Sequence, residues 1–189
     1  MEMTGEQLIA LPQAEVWRGL IDPEVLKASI PGCETIEKVT DNEYKVALTA
    51  AIGPVKAKFT GKLVLSDIKA PNSYSLAFEG SGGAAGFAKG SAQVSLAQEG
   101  SGTRLRYGAK ANIGGKLAQV GSRLIDGVAA KTADDFFVNF KATLTPKAAA
   151  AEAAAAIEEA PARGGISPLW IVAGVIAAML AVYWLLGAP

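Results

Sequence analysis

The stretch IGGKLAQVGSRLIDGVAAKTADDFFVNFKATL, residues 113–144, decides how the chain is read. Leu117, Val120, Leu124, Val128, Phe136, Phe137 and Phe140 recur along it at three- and four-residue spacings, while Arg123, Asp126, Asp134 and Lys141 fall off that stripe. The spacing predicts one long amphipathic helix. Gly114, Gly115, Gly121 and Gly127 are unfavourable inside a helix, at about 1 kcal/mol each relative to alanine. They call for a reason: space left between the helix and the surface it covers, or close packing against that surface.

An amphipathic helix needs an apolar partner, and the residues before it supply one. In EYKVALTA, Tyr44, Val46, Leu48 and Ala50 alternate with polar neighbours; VKAKFTGKLVL sets Val55, Ala57, Phe59, Gly61, Leu63 and Leu65 against Lys56, Lys58 and Lys62. SYSLAF, SAQVSLA and TRLRYGA continue the pattern with Tyr74, Leu76 and Phe78, then Ala92, Val94 and Leu96, then Thr103, Leu105, Tyr107 and Ala109. Consecutive strands with one wet and one dry face, joined by turn signals, make an antiparallel meander. Its dry face must be covered by something else.

Upstream, TGEQLIAL has strand character, and Pro12 opens a helix in which Val16, Trp17 and Leu20 recur. Asp22 and Pro23 end that helix and cap a second, which stops at Pro31 and Gly32. The expected fold is α+β: a strand, two short helices and an antiparallel sheet wrapped around a long C-terminal helix, a helix-grip domain. Small residues mixed with aromatics on the dry face suit an apolar cavity.

After residue 144 the composition changes. Residues 145–165, TPKAAAAEAAAAIEEAPARGG, cannot bury a core and read as a linker, helical in its Ala/Glu part. Residues 166–186 then give a long, uncharged, mostly apolar run, of the length needed to cross a hydrocarbon core of about 30 Å, with Trp170 near one end and Tyr183 and Trp184 near the other. The expected division is therefore 1–144 globular domain, 145–165 linker and 166–189 transmembrane anchor. Arg163 just before the span, and no basic n-region at the N-terminus, place the domain on the cytoplasmic face of the inner (plasma) membrane.

Composition narrows the function. The chain has 18 basic and 18 acidic residues and no histidine, which disfavours nucleic acid as a partner and removes the commonest metal ligand and acid–base residue. No metal site and no catalytic residue is expected. GSGGAAGFAKGSA, residues 80–92, imitates a dinucleotide fingerprint, but strand patterns flank both sides where the motif must open a helix, so a hairpin able to bulge or gate a cavity is the better account. Cys33 reads as a small apolar residue at a helix-to-strand corner and Glu34 as a surface carboxylate. Lys45, Lys56, Lys58 and Lys62 read as solvated lysines on the wet face of a sheet.

TGEQLIALPQAEVWRGLIDPEVLKASIPGCETIE, IGPVKAKFTGKL, GFAKGSA and IGGKLAQVGSRLIDGVAAKTADDFF together strongly resemble the G-subunit family of carbon monoxide dehydrogenase, of the START-like, Bet v 1-like (SRPBCC) superfamily. Pro31-Gly32-Cys33-Glu34 and the run from Gly115 to Gln119 are the most specific parts. The resemblance implies a seven-stranded sheet around the long helix with an apolar cavity between them. It also implies a partner, a molybdenum-containing hydroxylase of the carbon monoxide dehydrogenase type, brought to the membrane. The ligand it implies is a respiratory quinone, menaquinone or ubiquinone, held non-covalently for electron transfer to the respiratory chain; membrane lipid is the adjoining partner. The family has no catalytic motif to carry over.

Ligand contacts are expected at inward strand positions and on the inner stripe of the helix: Phe59, Phe78, Phe87, Tyr107, Leu117, Val120 and Leu124, with Tyr107 donating to a quinone carbonyl. Two alternatives stand beside the quinone carrier: a scaffold or assembly factor for the same enzyme with no ligand, and a generic lipid-binding START-like protein. A small cyclase or hydrolase in the same cavity is disfavoured by the missing histidine and the lack of paired inward carboxylates.

Overall fold

The computed structural model describes residues 1–158, with side chains through residue 145. Met1–Ala150 form one compact unit, and of the second, Ala151–Pro189, only helical backbone through Glu158 is described. Among the described residues no helix is long and apolar enough to cross a membrane; the expected anchor at residues 166–189 and the Pro/Gly end of the linker lie outside them.

The elements run β1 (Glu2–Ile9), α1 (Gln13–Ile21), α2 (Pro23–Ser29), β2 (Cys33–Lys38), β3 (Glu43–Ile52), β4 (Val55–Lys69), β5 (Ser73–Ser81), a 3-10 turn (Gly83–Ala85), β6 (Phe87–Glu99), β7 (Gly102–Gly114), α3 (Lys116–Gln119) and α4 (Ser122–Glu158). The strands form one antiparallel sheet in the order β1-β7-β6-β5-β4-β3-β2. Register fixes the faces. Tyr44 is opposite Leu63, Leu63 opposite Phe78, Phe78 opposite Gly90, and Val94 opposite Tyr107, all on the inner face. On the outer face Lys45 is opposite Lys62, Lys62 opposite Glu79 and Glu79 opposite Lys89.

The two short helices form where the sequence expects them. Asp22 ends α1 and caps α2, its carboxylate accepting from the N–H of Glu24 at 2.9 Å and of Val25 at 3.4 Å, with Pro23 in the first turn. The Asp22→Ala variant is expected to lose about 1 kcal/mol, seen as a lower urea midpoint at unchanged slope. The Tyr44 hydroxyl donates to the Ile21 carbonyl at 3.0 Å and ties β3 to the end of α1.

The last helix departs from expectation at its start. Ile113 and Gly114 are strand, Lys116–Gln119 is a separate short helix, and α4 begins only at Ser122. Gly115 (φ +76°) and Gly121 (φ +93°) hold left-handed backbone at the two breaks. Three of the four glycines are thus outside the long helix: Gly114 is in β7, and the other two redirect the chain. The break at Gly121 also resets the helical phase, so the stripe counted from Leu117 lands on Leu124, which is 40% exposed, while α4 buries Ile125.

Packing is concentrated over one half of the inner face. Ile9, Tyr74, Leu96 and Leu105 of the sheet meet Val16, Trp17 and Leu20 of α1, Val25 of α2, and Phe137, Phe140 and Leu144 of α4. Trp17 meets Tyr74 edge-on at 5.7 Å, and Phe136 stacks on Phe140 at 5.5 Å. Gly19 lets α1 approach α4, since a Cβ there would lie 2.6 Å from Leu144 Cδ2. The other half of the inner face, over β3, β4 and the end of β5, has no such filling.

Candidate functional site: an apolar cavity between sheet and helix

The unfilled half is a cavity of about 300 Å³. Val46, Leu48, Ala50 and Ile52 of β3, Phe59, Gly61 and Leu63 of β4, Phe78 and Gly80 of β5, Ala88 of β6 and Ile113 of β7 line it, with Ile30 and Leu117 from the α2–β2 link and α3. Alternation puts these positions on one face. Leu117 is fully buried, but the other lining side chains are only half-buried, because the space beside them is not occupied by protein.

Two glycines set the aromatic walls. A Cβ on Gly90 would lie 2.8 Å from Phe78 Cζ, and one on Gly82 would lie 2.4 Å from Phe59 Cε1, so each ring rests on bare backbone. The turn after β5 closes against this end: Gly82 N–H donates to the Gly86 carbonyl at 2.8 Å, Ala85 is buried, and Gly86 backs onto Gly115. Gly82→Ala is expected to drive the Phe59 ring inward and weaken retention of an apolar ligand several-fold in a folded protein, measured by extraction and quantification of bound ligand.

The seven residues expected at the site separate. Phe59, Phe78 and Leu117 line the cavity together. Phe87 does not face it: its ring lies on the outer face over Gly114, whose Cβ would come within 2.3 Å, and it is 44% exposed. Counting back from Ala92 through Gly90 and Ala88 puts Phe87 outward, a signal the glycine-rich turn obscures. Tyr107 is on the inner face but over the packed half, 5.4 Å from Phe137, with its hydroxyl above Gly5; it is not part of the cavity wall. Val120 and Leu124 are not in the wall either, and Leu124 instead packs near Gly53 at the β3–β4 turn. The wall residues missing from the expected set are mainly Val46, Leu48, Ile52, Leu63, Ile30 and Ile113. Four of these lie on β3 and β4, where the period of two is legible, whereas helical spacing alone places Ile113 at the start of the helix.

The wall presents no ionisable side chain. Lys62 and Glu79 pair at 3.2 Å on the outer face. Lys58 and Thr49 both donate to Glu34, at 2.5 and 2.7 Å, and hold its carboxyl below the usual range. Burial pushes the Cys33 thiol up, which disfavours the nucleophilic thiolate. Burial likewise raises the Tyr107 hydroxyl, and Tyr74 well above the ordinary phenol. Among the described residues no cluster of acidic, cysteine or histidine side chains could hold a metal ion. What this site offers chemically is burial of nonpolar surface.

An antiparallel seven-stranded sheet, a C-terminal helix across its inner face and an apolar cavity between them make up the START-like, helix-grip fold. A START superfamily protein from Mycobacterium smegmatis superposes with a TM-score of 0.62 at 10% identity, covering 76% of this chain and 96% of its own. A Thermus thermophilus protein gives 0.60 at 17%, covering 78% and 99%. A conserved protein from Geobacillus kaustophilus is more similar, at 32% identity and a TM-score of 0.73 over 77% of this chain and 96% of that one. The family model of the carbon monoxide dehydrogenase G subunit (CoxG) matches residues 5–145, and the chain belongs to that family. No curated protein matches it.

Proposed function

We propose that this protein is a membrane-anchored, non-catalytic carrier that serves a carbon monoxide dehydrogenase-type molybdenum hydroxylase. In this reading residues 166–186 cross the cytoplasmic membrane, the domain recruits the enzyme to its cytoplasmic face, and the cavity holds a respiratory quinone for electron transfer to the respiratory chain. The observation that carries the proposal is the apolar cavity of about 300 Å³ left open beside a well-packed core. Protein interiors are close-packed and leave few voids larger than a water molecule, and a slot of this size and lining is at the lower end of known ligand pockets. The family's name supports the choice of partner. A tether raises the effective concentration of the domain at the membrane, so an insoluble ligand could pass to a soluble enzyme without crossing bulk water.

The test is organic extraction of the purified protein from a quinone-containing host, followed by mass spectrometry. A stoichiometric quinone is expected. An empty protein that still brings the enzyme to membranes would instead identify a scaffold, and a co-purifying phospholipid or fatty acid alone would identify a general lipid carrier.

A further inference from the structure

We propose that the cavity holds its ligand by a hydrocarbon chain and leaves the polar head outside; this rests on the carrier reading above and specifies which part of the ligand the site recognises. Three features of the wall carry it.

The side chains that enter the cavity are aliphatic or phenyl. Thr60, Lys62 and Glu79 border it only through backbone, because alternation turns their side chains to the outer face. Along most of the wall the strand backbone is paired within the sheet: β3 with β4 is unbroken from Glu43 and Val64 to Ile52 and Val55, and β4 pairs with β5 from Thr60 and Ser81 to Ser66 and Ser75, leaving only the β5-facing edge of Val55–Phe59 outside a ladder. Four N–H groups of the glycine-rich turn are also spent. Gly82 N–H donates to Gly86 O at 2.8 Å, Gly83 N–H to Ser81 Oγ at 3.3 Å, Ala85 N–H to Gly82 O at 3.1 Å and Gly86 N–H to Gly83 O at 3.1 Å.

A quinone carbonyl or quinol hydroxyl placed in that wall would give up its hydrogen bonds to water and find none in return. An isoprenoid or acyl chain has no such group and gains from burial alone. The site therefore selects for chain length and is indifferent to the ring. The groups that change when a quinone becomes a quinol stay outside, so both redox forms bind alike. A carrier built this way can bring the oxidised form and remove the reduced form with one site.

Residues Met1–Ala150 form one compact unit that contains the core of the described residues, and 77% of this chain already covers 96% of the Geobacillus relative, so they are the protein to use. Their single tryptophan, Trp17, reports quinone binding by fluorescence quenching. Three probes are compared: 2-methyl-1,4-naphthoquinone without a chain, the same ring with a short isoprenoid chain in oxidised and reduced forms, and a long-chain fatty acid as a competitor. The chain-bearing quinone is expected to bind at least tenfold more tightly than the bare ring, with oxidised and reduced forms within about threefold, and the fatty acid should displace it. Equal affinity for the bare ring, a redox preference above tenfold, or quinone binding that the fatty acid cannot compete would overturn chain selection while leaving the carrier standing. Failure of every probe to bind would remove the carrier reading and this inference with it.

Discussion

Replacing Gly80 with isoleucine is expected to abolish ligand retention, by about tenfold or more, without unfolding the domain. Gly80 is on the inner face of β5 and borders the cavity. A Cβ there would meet only the Thr60 carbonyl at 3.7 Å and Gly61 Cα at 4.0 Å, both ordinary contacts. A branched side chain therefore enters the open slot of about 300 Å³ instead of the backbone. Glycine in a strand is destabilising by roughly 0.5–1 kcal/mol relative to alanine, and β-branched residues favour strands, so the thermal midpoint should hold or rise. Directly across the ladder, Gly61 gives the opposite result: its Cβ would lie 2.2 Å from the Glu79 carbonyl and 2.8 Å from Gly80 Cα. Gly61→Ile should fail to fold. Extracted ligand and thermal midpoint, measured together on both variants, check the placement; a folded Gly80→Ile domain with undiminished ligand would show that the ligand sits elsewhere.

Phe140→Ala should cost about 3–5 kcal/mol. Phe140 has no exposed surface and is packed where α4, α1 and the sheet converge, stacked on Phe136 and close to Gly19. Truncation leaves a hole that neighbours on three rigid elements cannot close. For a domain of this size the loss lowers the melting temperature by about 10 °C or more. Val138→Ala, two residues earlier on the same helix but 68% exposed, should stay within about 0.5 kcal/mol. A small effect at Phe140 would mean that α4 does not seal the domain as described. The two sets of variants separate the halves of the inner face: one half holds the fold, the other holds the ligand.

Much of this arrangement is legible in the sequence because strand alternation is local. Val46, Leu48, Phe59, Leu63 and Phe78 fall on the inner face for the same reason that Lys45, Lys62 and Glu79 fall outside, and neither needs a distant contact to decide it. Asp22 and Pro23 are likewise readable, since a cap acts on the N–H groups two and three residues away. The departures cluster at glycines. At residues 83 and 86 and again at residues 115 and 121 the backbone takes positive φ, and a periodic count carried through such a residue loses its phase. Phe87 and Leu124 lie just beyond those points.

By itself the sequence determined the family, the α+β class, the succession of first strand, two short helices, sheet and long C-terminal helix, and which face of each strand is apolar, because these follow from short-range patterns and from residues adjacent in the chain. Only the tertiary structure decided which part of the apolar face is core and which is cavity. Tyr107 and Phe59 are equally inward by alternation, yet one meets Phe137 while the other borders open space. The difference comes from where α4 restarts after Gly121 and which of its side chains then reach the sheet. Whether a void forms depends on the volumes of side chains brought together from β3, β4, β5 and α3, and no stretch of sequence contains that sum.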